Sequence, residues 1–137
     1  MRRYLLDTNI VLFFLFDSKE LKREIFDLLT DYNNRLYVST ISIQEIIHLY
    51  KSNKIKTQWK RAEEILPNID AVHFESLPVK REHLVTYSGL STSKFHNDPA
   101  DHVIISQAIT EKITLISSDN KFENYLNQKL HFIFNNR

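Results

Sequence analysis

The chain has 137 residues, 42% of them hydrophobic and 26% charged, with a formal net charge of +1. That length and composition fit one soluble domain, residues 1–137, and the charge balance excludes a globally basic nucleic-acid binder. An anionic partner would then need a local patch or a metal ion. The absence of cysteine removes disulfides, thiolate metal sites and cysteine nucleophiles, and fits a cytoplasmic protein. Gly89 is the only glycine, which excludes a dinucleotide fingerprint and a P-loop, since both need several glycines for the backbone to approach phosphate.

The segment "MRRYLLDTNIVLFFLF" superficially resembles a signal peptide. Asp7, Thr8 and Asn9 interrupt its apolar run, no small-residue cleavage pattern follows, and Ile10 to Phe16 is too short to span a membrane. It reads as core. Arg3 to Leu6 is a short buried strand and Ile10 to Phe16 an apolar helix. Leu21, Ile25, Leu28, Leu29 and Tyr32 have helical spacing over Leu21 to Tyr32. Asn33-Asn34 and Asn135-Asn136 read as turns. Leu36 to Ser39 is strand-like, and Ser42 to Lys51 is helical. Thr57 to Leu66 predicts a helix ended by Pro67, Ala71 to Phe74 a strand, and Pro78 to Leu90 a helix stopped at Gly89. After the polar loop "STSKFHN" come a helix over Pro99 to Glu111, a buried strand over Thr114 to Ser117, a short helix over Asn120 to Leu126 and a last strand over His131 to Phe134. Short apolar strands alternating with helices indicate an α/β fold, a three-layer α/β/α sandwich on a four- to five-stranded, mainly parallel sheet.

In such sheets ligands bind beyond the carboxyl ends of the strands, near the switch in strand order. Four acids fall at such places. Asp7 follows the first strand, Glu45 and Asp101 lie in first helical turns, and Asp119 comes two residues after the strand "TLIS". Each also has a local structural explanation. Asp7 suits a turn or cap, Ser42-Ile-Gln-Glu45 matches a capping box, and Asp119 precedes a helix start. In Asp98-Pro99-Ala100-Asp101, Asp98 suits the N-cap, Pro99 the first helical position, and Asp101 the positive end of the helix dipole. Taken together the four acids would repel one another at one sheet edge. A hard divalent cation, Mg²⁺ or Mn²⁺, would relieve that repulsion and activate a water for attack on phosphorus.

The stretches "LLDTNIVLFFL", "STISIQEII", "HNDPADHVIISQAI" and "ITLISSDNKF", in that order and spacing, resemble a PIN domain, most closely the VapC-type ribonuclease toxins of bacterial toxin–antitoxin pairs. The resemblance runs over nearly the whole chain. It implies an Mg²⁺- or Mn²⁺-dependent endoribonuclease cleaving single-stranded or loop RNA, partnered by a cognate antitoxin and by a second copy in a homodimer. Carried over, Asp7, Asp101 and Asp119 would hold the metal, and Glu45 would complete the catalytic cluster. Thr8 and Ser117 stand where small hydroxyl residues flank that cluster, and Asp98 occupies a position acidic in one branch of the family. That branch often has an aromatic residue at the position of Ala100 and an arginine at that of His102, which puts the substrate contact in doubt more than the cluster. His102 is read as a phosphate contact whose charge depends on pH. Zinc held by His96 and His102, at His-X5-His spacing, is disfavoured, since zinc sites usually have other partners close by.

Lys94 and Lys121 lie near the acidic motifs and are the candidates for steering RNA. The run "KSNKIKTQWKR" interleaves basic residues with Trp59, but reads first as a solvated helix end with Trp59 at the core edge. Phe13, Phe14 and Phe16 exceed one helix face and suggest an interface. Two rival readings share part of this pattern. A haloacid-dehalogenase-like phosphatase needs a second acid where Asn9 stands, and a non-catalytic PIN-fold RNA-binding or scaffold protein would be favoured by degraded acids, whereas all four are intact.

Overall fold

A computed structural model describes residues 2–137. Five parallel strands form one sheet in the order β3-β2-β1-β4-β5. They are β1 (Arg3–Leu6), β2 (Arg35–Ser39), β3 (Phe74–Leu77), β4 (Thr114–Ser117) and β5 (Phe132–Phe134). The first three strands step outward to one edge, and the chain then returns to lay β4 on the other side of β1. The switch in strand order therefore lies between the carboxyl ends of β1 and β4.

Alternation along the strands divides the interior into two cores, one on each face. Tyr4 and Leu6 of β1, Val38 of β2 and Ile116 of β4 face one core. This core is closed by α1 (Thr8–Leu15), α2 (Arg23–Thr30), α3 (Thr40–Lys51) and α4 (Ile65–Ala71). Leu5 and Leu115 face the other, which is filled by Ile104, Ile105 and Ala108 of α6 (Pro99–Glu111) and by Phe122 and Tyr125 of the 3₁₀ segment Asn120–Gln128. The remaining helix, α5 (Arg81–Ser88), packs on α6, where His83 Nε2 meets Glu111 Oε2 at 2.7 Å. The three-layer sandwich is as expected, with five strands. No helix among the described residues is long and apolar enough to cross a membrane.

The middle of the chain departs from the sequence expectation. Residues 57–61 are not helical, and a 3₁₀ turn (Ala62–Glu64) leads into α4. Pro67 lies in the first turn of α4, where its missing N–H would have had no helical partner, so it does not end the helix. The expected strand Ala71 to Phe74 begins three residues later, because α4 runs to Ala71 and His73 then takes a left-handed conformation (φ 64°) before β3. Asn33 and Asn34 do form a turn, whereas Asn135 is buried, and left-handed backbone falls instead on Asp17, Asn53, His73, Lys112 and Lys129. Gly89 follows α5 as expected, but with φ −98° it needs no glycine-specific conformation. Trp59 packs against the core, with its ring 5.4 Å from that of Phe16, and its carbonyl accepts the Tyr50 hydroxyl at 2.9 Å. Phe14 is absorbed into the interior against Phe26 and Phe74.

Candidate active site

β1 ends at Leu6, and Asp7 turns the chain directly into α1. Its backbone N–H donates to the Ile116 carbonyl of β4 at 2.9 Å, which fixes the aspartate at the switch point. Asp7 Oδ1 accepts from the Thr8 N–H at 2.9 Å, so the residue is the helix cap as well. Oδ2 accepts the Ser117 hydroxyl at 2.6 Å, and Ser117 Oγ in turn accepts the Asp119 N–H at 3.0 Å. Ser117, the last residue of β4, thus ties Asp7 to the backbone that presents Asp119. Thr8 Oγ1 donates to Glu45 Oε1 at 2.5 Å, bringing α3 onto the same site.

Glu45 does not serve a capping box. Ser39 is the cap of α3, accepting from the Ile41 N–H at 3.1 Å, and the Ser42 hydroxyl is buried without a partner. The box pattern occurs one turn inside the helix, so Glu45 is free to project toward Thr8. On α6 the two aspartates divide as expected. Asp98 is exposed and caps the helix through the Ala100 N–H at 3.0 Å, while Asp101 turns inward. Asp119 Oδ1 accepts from the Lys121 N–H at 2.9 Å, so it too caps a segment while facing the site.

Asp7, Thr8, Glu45, Asp98, Asp101 and Asp119 all line one cleft of about 290 Å³. A larger groove, of about 810 Å³, runs between Phe16 and Trp59 at the far end of α1, but it gathers no comparable set of acids. The chemistry therefore selects the smaller cleft. Burial, with a further push from the charges of Asp101 and Glu45, raises the Asp7 carboxyl from its ordinary value of 3.8 to about 7, against the opposing bonds from Ser117 and Thr8. Burial, then the charges of Asp98, Asp119 and Glu45, raises Asp101 likewise to about 7, with Lys121 the cation that offsets it. These acids feel one another's charge, and the fold holds them together against that cost.

Two residues stand differently from the sequence reading. His102 is buried at 4% exposure, with Nε2 donating to the His96 carbonyl at 2.8 Å, so it does not reach a substrate phosphate. On α6 it lies about 100° around the helix from Asp101 and points into the apolar layer. His96 is an addition. It too is buried, and its Nε2 lies 2.9 Å from Asp101 Oδ2. Its Nδ1 has no partner, and burial lowers the ring's pKa, so the neutral tautomer with the proton on Nε2 suits an ionised Asp101. Asn9 stands where a phosphatase would need its second acid. Instead it bridges, with Nδ2 3.4 Å from Asp7 Oδ2 and Oδ1 accepting the Ser118 N–H at 3.2 Å. A signal for His96 was present, five residues before Asp101 in an otherwise polar loop, but it points to a zinc ligand as readily as to a support. Lys94 and Lys121 are exposed.

An α/β domain with acids gathered over the switch point of its sheet is thereby defined. The chain belongs to the PIN domain family, whose model matches residues 4–126. No curated protein sequence is similar enough to match it. Among solved structures the chain is similar to VapBC2 from Rickettsia felis bound to a promoter DNA fragment, at 22% identity and TM-score 0.65 over 96% of this chain and 98% of that one. It is also similar to DNA-bound VapBC from Salmonella typhimurium, at 18% identity and TM-score 0.69 over 98% and 99% of the two chains. VapBC-5 from Mycobacterium tuberculosis, a member of the VapBC family of toxin–antitoxin systems, aligns over 98% and 99% at 15% identity and TM-score 0.60.

Proposed function

We propose that this chain is a Mg²⁺- or Mn²⁺-dependent endoribonuclease that cleaves single-stranded or loop RNA, and that it is the toxin of a toxin–antitoxin pair. The observation that carries the nuclease reading is the gathering of Asp7, Glu45, Asp101 and Asp119 in one cleft, with two of them held near pKa 7. All four offer hard oxygen donors of the kind Mg²⁺ and Mn²⁺ take. Among the described residues no three His, Asp or Glu side chains close up tightly enough to hold an ion by themselves.

Asp7, Asp101 and Asp119 would hold the ion, in part through its bound waters. Once bound, it would offset charge on the phosphoryl group and supply an acidic water. The chain's own residues do the positioning. Ser117 fixes one oxygen of Asp7 and the backbone of Asp119, and His96 fixes one oxygen of Asp101. Glu45, held by Thr8, would orient the attacking water or complete the ligand set. In-line attack by water needs no side-chain nucleophile; with the P–O3′ bond as the one broken, as the family resemblance implies, it leaves a 5′-phosphate and a 3′-hydroxyl. The test is cleavage of a structured RNA by purified protein in Mg²⁺, with wild type active and Asp7→Asn inactive. Equal cutting by both would show a contaminating nuclease and defeat the reading.

The toxin assignment is supported by the fold shared with VapBC complexes across nearly the full length of both chains. It predicts an antitoxin encoded beside this chain and a homodimer of the chain itself. Co-purification of the chain with the adjacent small DNA-binding protein tests the first, and light scattering tests the second. Failure of either leaves the nuclease reading intact.

A further inference from the structure

The loop between α5 and α6 is held at every few residues. Gln128 bonds both backbone groups of Ser91, accepting from its N–H at 2.9 Å and donating to its carbonyl at 2.8 Å. The Ser93 N–H donates to the Tyr125 hydroxyl at 3.0 Å, and the Ser93 carbonyl accepts the His96 N–H at 2.9 Å. His96 is then clamped from both sides, its carbonyl by His102 and its ring by Asp101. A loop tied down so thoroughly tucks Leu90 against the core and nevertheless exposes its phenylalanine. Phe95 is 77% exposed, immediately before a histidine that is 2% exposed. The Lys94 ammonium lies 5.4 Å from the Phe95 ring centroid.

We propose that Phe95 is a stacking platform for an unpaired nucleobase of the substrate, with Lys94 pairing the adjoining phosphate. This rests on the RNA-cleaving reading of the cleft and names how that cleft selects single strands. The position is the first argument. Phe95 does not line the cleft itself, but it is one residue from the ring that touches Asp101, about 3.8 Å along the backbone, so its loop borders the acids. Rigidity is the second. An aromatic side chain on an anchored loop has little conformational freedom left to lose when a base settles on it. Charge is the third. The cleft is acidic, and the cations beside it, Lys94 and Lys121, lie on the loop and at the start of the 3₁₀ segment, where they favour a polyanion's entry along this side. Interleaved aromatic and basic residues are how sequence-tolerant single-strand binders work, and a paired base has no free face to offer.

The experiment separates this proposal from its foundation. Binding of a short mixed-sequence oligoribonucleotide to the inactive Asp7→Asn protein is measured with Phe95 intact and with Phe95 changed to Ala, Leu or Trp. Loss of one stacked base predicts about 5- to 150-fold weaker binding for Ala. Leu should be nearly as poor, and Trp should bind as well or better. In the otherwise wild-type enzyme, Phe95→Ala should raise KM by a similar factor and leave kcat nearly unchanged at saturating RNA. An abasic nucleotide walked along the oligonucleotide should weaken wild-type binding at one position, and at that position Phe95→Ala should cost nothing further. If wild type cuts RNA while Phe95→Ala keeps its KM, or if Leu binds as well as Phe, the platform is refuted and the nuclease stands. A Phe95→Ala defect confined to binding a protein partner also refutes it. If wild type neither binds nor cuts RNA, the underlying reading has failed.

Discussion

Replacing Asp7 by asparagine should make the metal-free protein more stable, although the residue caps a helix and anchors two hydrogen bonds. Asp7 is 5% exposed, and its carboxyl is raised from 3.8 to about 7. Ionising it in the fold at neutral pH therefore costs about 4 kcal/mol relative to the unfolded chain. The raised value means the folded state holds the proton more tightly. This group's stabilising contribution is full below about pH 4 and is lost as pH rises from there through 7. Asparagine removes the cost but weakens the bonds now made by Thr8 and Ser117 to a charged acceptor, a loss of about 1 to 2 kcal/mol. A net gain near 2 kcal/mol remains at about pH 8, equivalent to a rise in Tm of roughly 5 to 10 °C for a chain of this size. Differential scanning calorimetry in a chelator should show that rise near pH 8 and little or none near pH 4. Mg²⁺ should raise the Tm of wild type at the higher pH and leave the variant unmoved. If Asp7→Asn is the less stable protein near pH 8 without metal, Asp7 is held for its cap and the strained-cluster account is wrong.

Further expectations concern the neighbours of the cluster. Asp98→Asn should retain most RNA cleavage, because asparagine caps a helix as well as aspartate does, while Asp101→Asn should lose nearly all of it; the reverse order would show the pair assigned backwards. His96→Ala should weaken Mn²⁺ binding by about 10- to 100-fold, the usual effect of removing a residue that orients a ligand, as followed by electron paramagnetic resonance of free Mn²⁺. Unchanged affinity would make His96 a packing residue. Ser117→Ala removes a bond to the charged form of Asp7, so carboxyl NMR of the metal-free protein should place Asp7 above its value of about 7, not below it.

Much of this was legible in the sequence, for identifiable reasons. The strands "RYLL" and "TLIS" are short apolar runs because both faces are covered, and α6 announces its start through Asp98 and Pro99. Asp7 comes directly after the first of those strands and Asp119 two residues after the second, so strand placement alone located them. The failures share a cause, in that a local pattern had two readings and distant residues chose between them. A proline marks the first turn of a helix as readily as a stop, and Pro67 took the first role. Glu45 fits a capping box on paper, but Ser39 supplies the cap. Asn135 looked like a turn residue, yet its side chain bonds Lys22, Glu20 and Ser118, partners far away in sequence. His96 and His102 are alike in sequence, and only the rotation of α6 and the path of the preceding loop show both to be internal, with His96 beneath Asp101.

The central claim is that the four acids form a divalent-cation site and not merely a set of helix caps. Titration of chelator-stripped protein with Mn²⁺ by isothermal calorimetry tests it most directly, with Asp101→Asn alongside. Saturable binding by wild type that is lost in Asp101→Asn, while both proteins remain folded, is the predicted result. No binding by wild type, or equal binding by the two proteins, would contradict the claim and leave a PIN fold without metal-dependent chemistry in this cleft.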